Sequence, residues 1–259
     1  CKHMNNLGTI DIYDFYYNGS YLSSHDGVVA GSNGFKEFSL LPSREDQTES
    51  VIGVDGEILV SSKLEPRQFS VPVLWNDISG MKIRNIAEWL DSPTVQDFYF
   101  KNDTIKLKAK LDKKELSINN MFDIYGMNDL SFIAYDPYFY EITPTVISTI
   151  TNQTFTNIGN KISFPDITVT TSAECYVLIT FSKDNVDYHK IQIKNLNGTA
   201  ILNSSKRTIK DANGVTLESK LSLLTGSRRY PYIEKGSIKV TVSGAYVTAC
   251  SITPNFRWI

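Results

Sequence analysis

The chain is 259 residues long, 41% hydrophobic and 21% charged, which is ordinary globular territory and excludes wholesale disorder. Twenty-six basic residues against twenty-eight acidic ones leave a formal charge of −2, so no whole-molecule field gathers nucleic acid or an acidic membrane. No apolar run approaches the roughly 20 residues that span a bilayer, and Cys1-Lys-His-Met4 lacks the apolar core of a secretion signal.

Ile10–Tyr17 alternates and meets Asn18-Gly19, the strongest short hairpin signal in the chain. Tyr21-Leu22 begins the return, and Val28–Ala30 follows a Ser-His-Asp-Gly turn. Pro42–Ser50 is highly polar, yet it runs into Val51-Ile52-Gly53-Val54, a turn at Asp55-Gly56, and Ile58-Leu59-Val60. We read residues 42–72 as a long hairpin arm. Its stem is too polar to repay its ordering entropy by burial, while its apolar tip calls for a surface supplied from outside. A helix is expected over about 78–91, where Ile83, Ile86, Ala87 and Leu90 recur at helical spacing. Asn76 or Ser79 can cap it, and Ser92-Pro93 stops it. Asp97–Phe100 resumes strand character. Ile105–Leu111 has strict period two, with Lys106, Lys108 and Lys110 on what reads as a solvated sheet face.

Thr143-Pro144-Thr145 marks a crossover between two mostly β domains, 5–142 and 143–259. Beyond it, short strands are expected at Lys161–Phe164, Thr168–Thr170, Cys175–Phe181, Tyr188–Lys194, Thr199–Leu202, Arg207–Lys210 and Ser237–Ser243. Asn197-Gly198 and Asn213-Gly214 read as hairpin turns, and Leu217–Leu224 as a short helical turn ending at Gly226. Many short strands with regular turns define a β-sandwich. Cys175 and Cys250 fall in strand-like runs, where a thiol acts as a small hydrophobe; a single bridge between them is the lesser alternative to reduced, intracellular assembly.

No catalytic constellation declares itself. Ser23-Ser24-His25-Asp26 contains the residue types of a triad, but adjacent side chains diverge and a triad is assembled from distant segments, so His25 reads as a turn residue. His189 shares strand parity with Ile191 and Ile193 and is expected half-buried at a strand end. Asp184, Asn185 and Asp187 lack the spacing and closing glutamate of a calcium loop and read as a solvent turn. Phosphate-binding glycine loops and zinc spacings are absent, so no catalytic residue, cofactor or metal is expected.

The order of these motifs resembles the distal tail protein (Dit) family of long-tailed, siphovirus-type bacteriophages. The similarity runs from about Ile10 to Ile259: the Asn18-Gly19 hairpin, Leu41–Arg44 through Val54-Asp55-Gly56, the helix Met81–Leu90 and Asp129–Tyr138. It continues through Lys194–Gly198, Tyr230–Val240 and the final Phe256–Ile259, with Trp258 expected to anchor in the core. The resemblance implies a homohexameric ring at the virion tail tip, built from an N-terminal ring-forming domain and a C-terminal sandwich similar to galectins and carbohydrate-binding modules. Such a ring joins the tail tube to the host-adsorption apparatus after assembly in the host cytoplasm. Its implied partners are the tube protein, a tail-associated lysin or tail-tip hub, and receptor-binding proteins, with no membrane insertion. Candidate ring contacts are the arm-tip residues Val51, Ile52, Val54, Asp55, Gly56, Ile58, Leu59 and Val60. The competing readings are a glycan-binding module for host-wall carbohydrate and the equivalent baseplate part of a tail-like bacteriocin.

Overall fold

The computed structural model describes residues 11–30, 41–53, 55–76, 78–112, 119–121, 125–148, 152–226 and 228–259. They divide into one unit ending at Phe139, with Ile259 grouped to it, and a second from Tyr140 to Trp258. The fold is mainly β, with a single α-helix among the described residues.

In the first unit, β1 (Asp11–Tyr17) turns at Asn18-Gly19 into β2 (Ser20–Tyr21). Both turn residues take positive φ, 41° and 90°, as a two-residue hairpin matching strand twist requires. There follow β3 (Gly27–Val29), β4 (Arg44–Ser50), β5 (Glu57–Leu64), β6 (Arg67–Trp75), α1 (Gly80–Leu90), β7 (Gln96–Lys101), β8 (Ile105–Leu111), β9 (Asn119–Met121) and β10 (Tyr125–Ala134). The antiparallel order is β2-β1-β7-β8-β10-β6-β3, with β9 beside β10. Strict alternation fixes the buried face: β6 sends Phe69, Val71, Val73 and Trp75 inward, and β10 sends Leu130, Phe132 and Ala134. The centre is aromatic. Phe15, Phe69, Phe98 and Phe132 meet with ring centroids between 4.9 and 6.0 Å, each buried ring contributing roughly 1.5–3 kcal/mol.

The helix is turned relative to the expected face. Ile86 and Leu90 are buried as anticipated, but Trp89 replaces Ile83 and Ala87, which lie exposed. Hydrogen bonding explains the rotation: the Trp89 indole N–H donates to the Tyr17 carbonyl at 2.7 Å, and the Asn18 amide donates to the Trp89 carbonyl at 2.6 Å. A large amphipathic ring that can satisfy its N–H inside outranks two smaller apolar side chains. The helix also runs Gly80–Leu90 rather than 78–91, with Ser79 at its N-cap position.

The second unit contains β11 (Tyr140–Glu141), β12 (Ile147–Ser148), β13 (Asn152–Asn157), β14 (Asp166–Lys183), β15 (Val186–Asn203), β16 (Thr208–Asp211), β17 (Leu221–Thr225), β18 (Gly236–Ser243) and β19 (Val247–Thr253). Two 18-residue strands, β14 and β15, dominate it, joined by a turn in which Asp184 and Asn185 both have positive φ. Residues 166–171 of β14 pair with β19 and the end of β15, whereas residues 178–182 pair with β18. The same two strands therefore serve two layers, β12-β19-β14-β15-β16 and β13-β18-β14-β15-β17. One core lies between them, drawing Ile167, Val169, Leu202 and Ile252 from one layer and Ile179, Phe181, Ile191 and Val240 from the other.

Four expectations are corrected here. Thr168–Thr170 and Cys175–Phe181 are one strand, as are Tyr188–Lys194 and Thr199–Leu202, so Asn197-Gly198 is no hairpin turn. It belongs to a bulged stretch in which Asn195 and Gly198 take positive φ and Thr171 opposes Gly198. Buried positions in β15 are odd at His189, Ile191 and Ile193 and even at Leu196, Ala200 and Leu202, so the irregularity keeps both halves facing the core. Lys161–Phe164 contributes only isolated bridges, Leu217–Leu224 is a 3-10 turn leading into β17, and Phe256 rather than Trp258 is the buried terminal aromatic. Asn213-Gly214 does form a turn, held by the Asp211 carboxylate accepting from the backbone N–H of Asn213 and Val215.

Gly198 isolates the cost of that bulge. A Cβ there meets nothing within 4 Å, so Gly198→Ala is opposed by backbone conformation alone, φ being +91°. Chemical denaturation should show a loss of about 1–3 kcal/mol. No loss would mean that the left-handed conformation is not required.

Candidate assembly surface

Among the described residues, strands β4 and β5 pair only with each other, from Arg44↔Leu64 to Ser50↔Glu57. Every described side chain from Ser43 to Lys63 is exposed. The stem is polar and tied across: Ser43 donates to the Glu65 carboxylate, Arg44 reaches Ser62 at 3.3 Å, and Ser61 donates to Gln47 at 2.9 Å. The distal part is apolar. Ile52 is wholly exposed, and Ile58, Leu59 and Val60 are each more than half exposed. Because those three are consecutive, β5 presents apolar side chains on both faces. A single sheet face cannot cover both, and a lone two-stranded ribbon is marginal in water.

Val51 is exposed beside Ile52, and Asp55-Gly56 sits in the turn with Gly56 at φ +93°. Val54 lies outside the described residues. The hairpin is shorter than the expected 42–72: Arg67, Phe69 and Val71 are buried in β6, and Pro42 is buried at the other end. Alternation resumes at Arg67, and with it comes membership of the core sheet.

The candidate chemical groups are dispersed. His25 Nε2 lies 2.8 Å from Ser20 Oγ, with its ring stacked on Trp89 at 4.4 Å, and burial lowers its pKa against an opposing effect of Asp26. The neighbouring carboxylates are committed elsewhere, Asp26 to Lys82 at 2.6 Å and Asp14 to the Ser23 N–H and hydroxyl. The Ser20–His25 contact therefore fastens a turn. His189 is fully buried rather than half-buried, between Phe181 and Tyr232, with neither ring nitrogen hydrogen-bonded. Its parity with Ile191 and Ile193 carries it inward, and Gly226 packs so close that a Cβ there would lie 2.7 Å from Nδ1.

Asp184 and Asn185 form the β14–β15 turn, and the Asp187 carboxylate accepts from Ser182 and pairs with Lys190 at 3.1 Å. These contacts hold the Asp187 carboxyl below its usual range. Among the described residues no group of three or more His, Cys, Asp or Glu could hold a metal ion. Cys175 and Cys250 are free thiols, and burial pushes Cys250 up to about 11.

Residues 28–134 match the phage tail protein RIFT-related domain, a span that includes the β4–β5 hairpin. In fold the chain is similar to the Dit protein of phage SPP1, described as a paradigm of the hub adsorption apparatus in phages infecting Gram-positive bacteria. That likeness has a TM-score of 0.69 at 14% identity over 93% of this chain and 98% of that one. It is also similar to a chain of the phage P2 baseplate in its activated, calcium-containing conformation, with a TM-score of 0.53 at 9% identity over 92% and 96%. No curated protein matches the chain by sequence. Both solved structures are parts of phage tail or baseplate assemblies. Residues 28–134 thus match a phage tail domain, and the chain has a fold like that of the SPP1 Dit protein.

His189 makes the second unit acid-sensitive. Burial lowers its pKa from 6.5 to about 4, so between those values the unfolded chain binds a proton that the folded chain refuses. Stability is full above pH 6.5 and falls as pH drops toward 4, by about 1.4 kcal/mol per pH unit. His189→Leu should remove this component. Denaturation curves at pH 7 and pH 5 with equal pH dependence in both proteins would refute it.

Proposed function

We propose that this protein is a hub of a phage tail tip, assembling as a homohexameric ring that joins the tail tube to the host-adsorption apparatus. The β4–β5 hairpin carries the reading. Within the span that matches a phage tail domain lies a ribbon whose apolar tip has no cover among the described residues, which supports a neighbouring subunit as its acceptor. A ring needs a heterologous contact, one patch meeting a different patch on the next copy. An extended arm supplies one without enlarging the core. The tail tube protein, a tail-associated lysin or hub, and receptor-binding proteins are the proposed partners, with assembly in the host cytoplasm before incorporation into the virion.

The glycan-reader alternative requires stacking aromatics on an exposed face of the second unit. The large exposed aromatics there are Tyr176 and Tyr246, and fold likeness does not transfer sugar binding.

Replacing Val51–Val60 by a two-residue turn should abolish ring formation and leave a folded monomer. Ile52→Asp combined with Leu59→Asp should weaken self-association by at least about tenfold, near 1.4 kcal/mol. Solution mass and electron microscopy read both results, and where the isolated chain is monomeric, incorporation at tail-tube ends is the readout. An unchanged ring after tip removal would reject the arm as the contact.

A further inference from the structure

A cleft in the second unit gathers three arginines. It has a volume of about 650 Å³ and is walled by Phe164, Ser204, Arg207, Arg228, Arg229 and Tyr230. Its charges are not balanced from within. Arg229 pairs with Glu218 at 3.5 Å, and the Tyr230 hydroxyl also donates to Glu218, so that carboxylate is occupied. Among the described residues Arg207 and Arg228 pair with no carboxylate. The Arg228 guanidinium lies over the rings of Phe164 at 5.7 Å and Tyr232 at 5.5 Å, which positions it while leaving its N–H edge available.

A second observation points the same way. Ser204 is 3% exposed, lines the cleft, and its hydroxyl has no hydrogen-bond partner among the described residues. A buried hydroxyl left unpaired costs free energy, and such groups are rare unless a ligand or water meets them.

We propose that this cleft binds a phosphate group carried on a hydroxylated chain, a phosphomonoester or phosphodiester of a polyol or sugar. Two unneutralised guanidinium forks match the oxygens of a tetrahedral anion bidentately. The Ser204 hydroxyl supplies a further donor to an oxygen that a planar carboxylate lacks. The volume exceeds that of bare phosphate, and the remainder is lined by Ser205 and Tyr230, suited to hydroxyl groups and a short carbon chain. The cleft contains none of the arm residues.

The full-length protein is titrated calorimetrically with glycerol phosphate, inorganic phosphate and glycerol. Glycerol phosphate should bind most tightly, inorganic phosphate more weakly, and glycerol not at all. Arg207→Gln should raise the Kd for glycerol phosphate by at least about tenfold. Arg228→Lys, which keeps the charge but loses the fork, should weaken it several-fold. Ser204→Ala should weaken binding while leaving the unliganded thermal midpoint equal or higher, because it removes an unpaired buried hydroxyl. Absence of glycerol phosphate binding at millimolar concentration, equal binding of glycerol, or affinities unchanged by Arg207→Gln and Ser204→Ala would each overturn the proposal.

Discussion

A strand that buries one face must keep its apolar residues in phase with the pleat, and both units are organised by where that phase holds and where it breaks. In β6 and β10 it holds without interruption, and those strands pair from Arg67↔Ala134 to Trp75↔Gly126. In β15 it breaks once, between Ile193 and Leu196, and the break lets one ribbon line two layers. Without the bulge the second half of β15 would turn Ala200 and Leu202 to solvent. The shared core between the layers would then lose one wall.

The arm is the place where phase is absent altogether. Ile58, Leu59 and Val60 follow one another with no polar residue between, so neither face of β5 can be the solvent face. Within the same unit β8 obeys the rule, burying Leu107, Ala109 and Leu111 while lysines face outward. The contrast is physical. One strand is finished by its own sheet, and the other leaves its apolar side chains exposed. Exposed apolar patches of this kind mark interaction sites in soluble proteins, which supports reading the hairpin as a contact element.

Much of this was legible in the chain because it rests on local periodicity. Asn18-Gly19 makes its hairpin, β8 alternates as written, and the polar stem leading to an apolar tip stands clear of the core. What was not legible depends on which of two local signals wins in three dimensions. Asn197-Gly198 has the chemistry of a hairpin turn and is instead part of a bulge. The shift of apolar parity from 189, 191 and 193 to 196, 200 and 202 was the available clue. The helix face was set by a hydrogen bond from Trp89 to a backbone carbonyl, which no helical wheel contains. The arginine cleft joins residues from around Phe164, Ser204 and Arg228, three separate segments, so no local pattern in the chain announces it.

Charge on the arm bears on which kind of contact it can make. Between Ser43 and Glu65 six acidic residues face two basic ones, leaving −4 on a ribbon within a chain of −2 overall. Two such arms brought edge to edge would set like charges against each other, in addition to the polar side chains that already discourage edge pairing. The self-complementary arrangement, arm against arm, is thereby disfavoured. An arm seated on the remainder of a neighbouring copy meets a surface whose net charge is +2, taken over all residues outside the ribbon. That asymmetry favours a heterologous contact over an isologous one. Heterologous contacts close into rings when the rotation permits, so the charge of the stem agrees with the proposed ring.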